Sequence, residues 1–448
     1  MTAPALRSLE PRSLEGIISG MSARGARPGT VVASPLPSAL LQKLTDGGLE
    51  GLRRRSVVSW EHTNSGTRLF GIGVAARFTA PRNEGVGLPS FAGLTLDCDP
   101  GIEPTAIPRM FGGFEFDLRQ RHHDPHWDAL GSWQFILPRV LISWTDRGPA
   151  GSVCVLAGHR EPSHGSPEAA ETDLTNGLSA EGWQDAVAEA VAEIHHNRYA
   201  KTVLARQRHV RLGAGWSRER TIGALAERYP ACFVFQFQAG GATWLGASPE
   251  RLVSLADGVA RADSLAGSCR RGTTPDEDLA LGQQLLNDPK EREEHDFVVR
   301  AVAGSLAPHT VLLEHAAEPV VMKLANIQHL QTPVTATVKP GTTILDLVRA
   351  MHPTPAVGGW PRAEALDAIR RLEQMDRGWY AAPIGWIDFQ GNGEFAVGLR
   401  TALITGNDAM LFAGAGIVAD SEPERELAEI DLKFRPIEEA LRTGGAWT

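Results

Sequence analysis

Residues 232–255 read CFVFQFQAGGATWLGASPERLVSL. The stretch holds three β-type runs, Cys232–Gln238, Thr243–Ala247 and Leu252–Leu255, separated by short Gly- and Pro-containing breaks. Parallel neighbours need a crossover of about a dozen residues or more, so strands this close in sequence pair antiparallel. Toward the N-terminus a further strand, Lys201–Leu212, follows a helical pattern over Gln184–His195. Earlier still, short β-type runs (Val31–Ala33, Ser56–Trp60, Arg68–Ala75, Trp133–Trp144) alternate with Gly/Pro turns. Toward the C-terminus helices are predicted over Pro275–Leu286, Pro289–Leu306 and Ala363–Gln374. Strands follow over Pro383–Phe389, Glu394–Ile404 and Ala409–Ala413, with a last helix from Glu422. No fixed short period appears, which excludes a solenoid. Helices interrupting antiparallel-type strands predict an α+β fold with a large sheet core.

The chain has 448 residues, a formal net charge of -9, 42% hydrophobic and 22% charged residues. This is globular composition, and it excludes disordered, collagen-like and coiled-coil classes. The acidic balance, without basic runs interleaved with aromatics, argues against nucleic acid as a partner. No apolar stretch approaches the roughly 18 residues that span a bilayer. Cys98, Cys154, Cys232 and Cys269 are far apart with no CxxC, and read as reduced, mostly buried thiols of a cytoplasmic protein. Length allows two or three domains, but one large domain fits the strand pattern. Residues 1–30, rich in Ser, Arg, Pro and Gly, read as a frayed lead-in; Glu10 and Glu15 speak against a transit peptide. Residues 31–448 form the α+β domain: an N-terminal sheet part (31–157), a polar linker (158–179) and a catalytic part (180–448).

Two helices carry charge where apolar residues belong. The first opens with Asp288 at the N-cap, Pro289 at N1 and Glu291 at N3. Val298, Val302 and Leu306 form its apolar stripe; Glu291 and His295 fall on it and Glu294 flanks it. A carboxylate aimed at a core is costly unless it is paired or holds a metal, although Glu291 in the first turn also complements the helix dipole. In the last helix Ser421 and Glu424 form a predicted capping box, and Leu427, Ile430 and Phe434 the apolar stripe. Glu426, Glu429 and Lys433 stack beside that stripe, as a surface salt-bridge ladder also would. Before this helix Leu411–Gly416 reads as a strand running into a Gly-rich turn whose bare amides could receive an anion. Two Glu-x-x-Glu steps together suit Mg²⁺, which prefers carboxylates and keeps several waters. His295 fits a hydrogen-bonding role better than a ligand's.

Two other patterns carry less. Gly71-x-Gly73 lacks the acidic partner of a dinucleotide loop. His122, His123 and His126 with Asp124 surround Pro125 and read as an exposed turn rather than a chelate. No GxSxG or P-loop is present.

Several further runs, in order, resemble the chorismate-binding enzymes of menaquinone, siderophore and tryptophan biosynthesis, and among them the isochorismate synthases. They are Lys201-Thr-Val-Leu-Ala-Arg206, Leu245-Gly-Ala-Ser-Pro-Glu250, Ser264-Leu-Ala-Gly-Ser268, Lys290-Glu-Arg-Glu-Glu-His295 and His352-Pro-Thr-Pro-Ala-Val-Gly-Gly359. Beyond these come Gly378-Trp-Tyr-Ala-Ala-Pro383, Gly393-Glu-Phe-Ala-Val-Gly-Leu-Arg400 and Gly414-Ala-Gly-Ile-Val418, with a weaker match at Phe111–Asp117. The resemblance implies a single α+β domain with an antiparallel β-sandwich core and helices packed outside. It also implies addition of a nucleophile at C2 of chorismate as the C4 hydroxyl leaves, with Mg²⁺ on the C1 carboxylate. By position Lys201 resembles the base that activates water and Glu250 the acid that protonates the departing oxygen. Glu294 and Glu429 match metal ligands, and Glu291 and Glu426 match acidic residues that orient metal-bound water. Tyr380, Arg400, Gly416 and Lys433 match positions that hold the substrate carboxylates; Gly267, Ser268, His329 and Ala356 join the implied substrate lining.

A lysine serves as a base only where its neutral form is favoured, and Lys201 enters an apolar strand. Glu250 must be protonated to act as an acid, which an apolar pocket or a nearby carboxylate promotes. Aminating relatives generally lack the lysine at position 201, so its presence implies water as the nucleophile and no glutaminase subunit. Salicylate synthases share that lysine but usually carry Thr at position 356, so Ala356 favours stopping at isochorismate. Asp431 after Ile430 departs from a Thr common in relatives, close to Glu429. The expected activity is an Mg²⁺-dependent isomerase; the competing readings are a salicylate synthase and a non-catalytic chorismate-binding protein.

Overall fold

Strand Trp133–Thr145 is buried along most of its length on both faces, and the sheet divides on it. One edge pairs with Thr67–Ala80. The other is shared: Met110–Phe114 takes its first part and Gly148–Leu156 its second. Two layers follow from that division. The first runs through Thr67–Ala80, Val58–His62, Phe233–Ala239, Ala242–Ser248, Thr401–Thr405 and Asp408–Ile417 to Lys201–Arg211. The second runs through Met110–Phe114, Pro383–Ile387, Gly393–Val397, Arg251–Ala256, Val259–Arg270 and Ile327–Val338. These pairings are antiparallel; Thr30–Pro35 beside Thr95–Cys98 is parallel. The layers meet through aromatic rings, with Phe135 and Phe395 centroids 6.3 Å apart and Phe237 and Trp379 5.4 Å apart. The expected α+β fold with an antiparallel sandwich is what this computed structural model contains. It describes residues 11–22, 26–82, 89–91, 93–117, 119, 123–159, 177–323 and 327–446.

Helices cover the outside by burying one stripe each. Pro289–Leu306 buries Val298, Val302 and Leu306 against Val259–Arg270 and Ile327–Val338. Pro423–Gly444 buries Ile430, Phe434, Ile437 and Leu441 against Asp408–Ile417 and the helix Arg218–Arg228. No helix among the described residues is long and apolar enough to cross a membrane.

Several expectations need correction. Residues 11–22 are not frayed: they form a helix whose Leu14 and Met21 pack with Leu36, Leu40, Leu44 and Phe70. The expected strand Glu394–Ile404 is two strands, Gly393–Val397 and Thr401–Thr405, parted where Arg400 takes a φ of +52°. Gly414–Gly416 is not a turn; the strand continues to Ile417, with Gly414 opposite Ala205 and Gly416 opposite Val203. Ser421 does not cap the last helix, whose N-cap is Glu422. Asp124 and His126 are largely buried rather than exposed, joined through Oδ1 and Nδ1 at 2.5 Å. All four cysteines are free; Cys154 and Cys232 are buried, Cys98 is exposed. The linker reading falls mostly on residues 160–176, outside the described residues, as does His122.

Beneath the start of strand Lys201–Arg211 lies an ion pair sealed from water. Glu373 and Arg377 are 3% and 1% exposed. Arg377 Nε donates to Glu373 Oε2 at 2.9 Å, Nη1 to Val357 O at 3.0 Å and Nη2 to Val203 O at 2.7 Å. Glu373 Oε1 accepts from the Ala205 amide at 2.7 Å. Every strong hydrogen-bonding direction of the pair is thereby used, which is what makes a buried pair tolerable. Breaking it leaves one buried charge uncompensated. Glu373→Ala is expected to lower unfolding free energy by about 3–5 kcal/mol, and Glu373→Leu with Arg377→Met by less than the two single losses summed. Urea unfolding of Glu373→Ala, of Glu373→Leu and Arg377→Met singly, and of the double variant checks both statements.

Candidate active site

Lys201 opens its strand opposite Trp360 and turns its amine toward the acidic helix. Nζ lies 2.7 Å from Glu294 Oε1, with the lysine side chain 15% exposed. Room for it comes from Gly416: a Cβ there would lie 3.0 Å from Lys201 Cε. Next door Gly414 leaves similar room for Tyr380, whose hydroxyl would lie 3.0 Å from a Cβ. The Tyr380 ring is buried and stacks on Phe412 at 5.3 Å. Burial also raises its phenol above the ordinary range.

The acidic helix opens as expected, with Asp288 Oδ1 accepting from the Lys290 and Glu291 amides at 2.9 and 3.2 Å. Glu291 is half-buried, and its Oε2 accepts from the Ser268 amide at 3.1 Å. Gly267, at φ +74°, brings the backbone within reach; a Cβ there would lie 3.0 Å from the same oxygen. A bulge of strand Val259–Arg270 at Gly267 therefore lets the Ser268 amide hold Glu291. Burial and then Glu294 push the Glu291 carboxyl above its ordinary value, against the pull of the Ser268 amide. His295 is buried, with Nε2 2.8 Å from Thr332 Oγ1 and Nδ1 facing Ala266 O; it is a hydrogen-bonding partner.

From the C-terminal helix, Glu426 Oε1 accepts from Ser421 Oγ at 2.7 Å. Burial raises Glu426, the Ser421 bond opposes this, and Glu429 and Glu294 raise it further. The acids of the two helices thus feel one another. Glu429 is the outermost, 47% exposed and paired with Lys433 at 2.6 Å. Lys433 Nζ also donates to Gly414 O at 2.9 Å, and Lys290 Nζ reaches Asp420 Oδ2 at 3.0 Å, tying the first helix to the segment before the last.

Among the described residues no three His, Cys, Asp or Glu side chains form a ready metal cage. A ready cage is not what Mg²⁺ needs, since one or two carboxylates with waters and substrate oxygens suffice. Glu294 and Glu429, with Glu291 and Glu426 behind them, are an all-oxygen donor set that fits a hard cation.

Glu250 follows Ser248-Pro249 at the entry to Arg251–Ala256. Its amide donates to Ser248 Oγ at 3.2 Å and its carbonyl accepts from the Val397 amide at 3.1 Å. No donor from the described residues reaches its carboxyl oxygens. The carboxyl is pushed up to about 7, by burial first and Asp263 second, while Lys201 pulls the other way. His329, opposite Ser268, is pushed down to about 4 by burial, then by Arg400 and Lys433. Arg400 also approaches the Cys232 sulfur and the Tyr229 ring, and Glu394 pairs with Arg251 rather than with Arg400. Ala356 is partly exposed in the loop whose Val357 carbonyl Arg377 holds; no contact joins it to the acidic residues.

Lys201, Glu250, the four glutamates, Gly267, Ser268, His329, Arg400, Gly416 and Lys433 are thus linked by contacts or mutual charge, and Tyr380 adjoins through Gly414. None of the proton-transfer or helical acidic residues lines the cavity of about 370 Å³ bounded by Arg68, Arg109, Trp386 and Glu394. Sequence reasoning missed Asp263 and the Glu373–Arg377 pair, and read Ser421 as a helix cap rather than as the donor to Glu426. Asp263 interrupts a β-type stretch with a charge, a signal that identifying the strand Val259–Arg270 would have exposed.

Comparisons with known proteins agree with the geometry. The family model described as chorismate binding enzyme matches residues 153–442. The salicylate biosynthesis isochorismate synthase of Pseudomonas aeruginosa is 39% identical over 373 residues, 78% of each chain. The isochorismate synthase MenF of Bacillus subtilis is 37% identical over 352 residues, 75% of this chain and 74% of that one. MenF of Escherichia coli, a menaquinone-specific isochorismate synthase of known structure, shares the fold with a TM-score of 0.73 at 24% identity, covering 98% of this chain and 100% of that one. The chain is a member of the chorismate-binding enzyme family.

Proposed function

We propose that this protein is an isochorismate synthase, an isomerase that adds water at C2 of chorismate as the C4 hydroxyl departs. The observation that carries the reading is the contrast between Lys201 and Glu250. One is an amine within reach of carboxylates, the other a carboxyl group without a donor, raised to about 7. Groups so separated suit proton removal at one ring position and proton delivery at another. The relatives from Pseudomonas aeruginosa and Bacillus subtilis bear the same activity in their names.

In this reading Lys201 takes a proton from water as its oxygen bonds to C2. The ring diene shifts, the C4–O bond breaks, and Glu250 gives its proton to the leaving oxygen. One water enters and one leaves, so substrate and product are isomers. To act as the base Lys201 must first give up a proton, so that it meets the water as a neutral amine rather than as the ammonium that pairs with Glu294. Glu294 and Glu429 would hold Mg²⁺, and Glu291 and Glu426 would orient its waters. When bound, the ion supplies positive charge against the substrate C1 carboxylate. Arg400, Lys433 and Tyr380 are assigned to the substrate carboxylates, and no glutaminase subunit is required.

Lys201→Ala and Glu250→Gln are each expected to lower kcat by about 10²–10⁴-fold with the fold retained, read by chromatographic assay of isochorismate from chorismate. Either variant turning over at the parent rate would remove that residue from the chemistry. Parent enzyme should also release no salicylate; prompt salicylate fluorescence would instead favour a pyruvate-eliminating salicylate synthase.

Glu250 works only while protonated. As pH rises through about 7 it loses that proton, so kcat/KM should fall about tenfold per unit above this point. A pH–rate profile that stays flat to pH 9 would contradict the assignment.

EDTA should abolish turnover and added Mg²⁺ restore it. Full activity after exhaustive chelation would take the metal out of the reaction.

A further inference from the structure

Strand Val259–Arg270 turns Ala260, Ala262 and Ser264 into the core, and Asp263 therefore points to the opposite face. Its carboxylate is fixed at both oxygens. Gln331 Nε2 donates to Oδ1 at 3.0 Å and Arg251 Nη1 to Oδ2 at 3.2 Å. Arg251 is held in turn: its Nε faces Glu394 Oε1 at 3.3 Å, and Trp60 Nε1 donates to the other oxygen of Glu394 at 3.1 Å. The lattice Gln331–Asp263–Arg251–Glu394–Trp60 spans both layers of the sandwich and passes through Arg251, the residue next to Glu250. The backbone of Glu250 is itself pinned by Ser248 and Val397.

We propose that Asp263 is a positioning residue for proton delivery, a fixed negative charge that keeps the neighbouring Glu250 in its neutral, proton-bearing form. The inference rests on the assignment of Glu250 as the acid. Two features of the geometry support it. No donor from the described residues meets the Glu250 carboxyl, so no hydrogen bond stabilises its ionised form. The nearest cation in sequence, Arg251, is already committed to Asp263 and Glu394 and is thereby kept from pairing with Glu250. The charged groups acting on Glu250 are Asp263 from its neighbouring strand and Lys201 across the cleft, with Arg251 beside it in the chain. Burial and Asp263 act in the same sense, and Lys201 opposes them.

The two halves of the Asp263–Arg251 pair should move Glu250 in opposite directions. Asp263→Asn removes the negative charge and frees Arg251. Glu250 then ionises more easily, and the alkaline limb of kcat/KM should move down by about half a pH unit or more, a loss of about threefold at pH 8. The rate below pH 6 and the KM for chorismate stay near parental. Arg251→Gln leaves Asp263 without its cation and should move the same limb up. A merely structural ion pair predicts lower stability in both variants and the limb unmoved. An unmoved limb in folded Asp263→Asn, or a limb that moves the same way in both variants, overturns the proposal. If Asp263→Asn does not fold, the Arg251→Gln shift decides alone, and a limb that is unmoved or moves down rejects the proposal. Glu250→Gln separates the failures: retained activity there removes the acid itself, whereas an inactive Glu250→Gln with unmoved limbs removes only the role of Asp263.

Discussion

A guanidinium and a carboxylate buried behind strand Lys201–Arg211 set the position of most that matters here. Arg377 and Glu373 sit three and seven residues before Tyr380, and they grip Val203 O and the Ala205 amide on one side and Val357 O on the other. The strand that offers Lys201, the loop that carries Ala356 and the turn that presents Tyr380 are thereby held by one pair. Removing two charges from water costs several kcal/mol per ion, and the pair offsets this by hydrogen bonds to backbone groups of two other segments. Burial of that kind specifies geometry, because no shifted arrangement satisfies the same donors and acceptors. The Phe116 ring, 4.2 Å from the guanidinium carbon, closes one face of it.

With the frame fixed, electrostatics sorts the carboxylates. Glu294 and Glu429 are matched to lysines at 2.7 and 2.6 Å. Glu291 and Glu426 have hydrogen-bond donors without a close cation, and burial together with the neighbouring acids raises both. Glu250 has no hydrogen-bond donor on its carboxyl among the described residues, and rises to about 7 by burial and Asp263 against Lys201. Mutual repulsion among helical carboxylates stores a demand for positive charge, which a divalent ion and the cationic side chains at the cleft can meet. The Glu-x-x-Glu steps sit on two helices from distant parts of the chain. Lys290–Asp420 joins their approaches, so the spacing between them does not depend on either helix alone.

Much of this was legible before any coordinates. The antiparallel reading of residues 232–255 holds for the first two strands, Phe233–Ala239 and Ala242–Ser248, because a break of a few residues cannot accommodate a crossover. The third, Arg251–Ala256, leaves for the other layer and pairs there with Val259–Arg270 and Gly393–Val397. The helix Pro289–Leu306 was bounded correctly by Asp288 and Pro289, whose capping geometry is local. What failed was non-local. Gly414–Gly416 looks like a turn because glycine weakens strands, yet these glycines are strand residues that clear space for Lys201 and Tyr380, and only the neighbours reveal that. Residues 11–22 lack the composition of a core helix, and their order comes from a small apolar cluster supplied by residues 36–52 and three later strands. Asp263 was passed over because its partners, Arg251 and Gln331, lie on neighbouring strands, which only the pairing reveals.

The separation of acid from base is the feature that sequence motifs alone do not explain. Lys201 and Glu250 belong to strands at opposite positions in the pairing order, one at the far end of the first layer and one within the second. Both residues are carried at the start of strands, Lys201–Arg211 and Arg251–Ala256, so sheet pairing rather than a flexible loop positions them. Their environments differ for the same reason. Lys201 meets the carboxylates of helices packed outside the sheets, whereas Glu250 draws on the interior and on a charge held by the inter-layer lattice. An exchange of proton roles between them would require reversing both environments at once. In the proposed reaction this would put proton removal on the side lined by helical carboxylates and proton delivery on the side lined by the second layer.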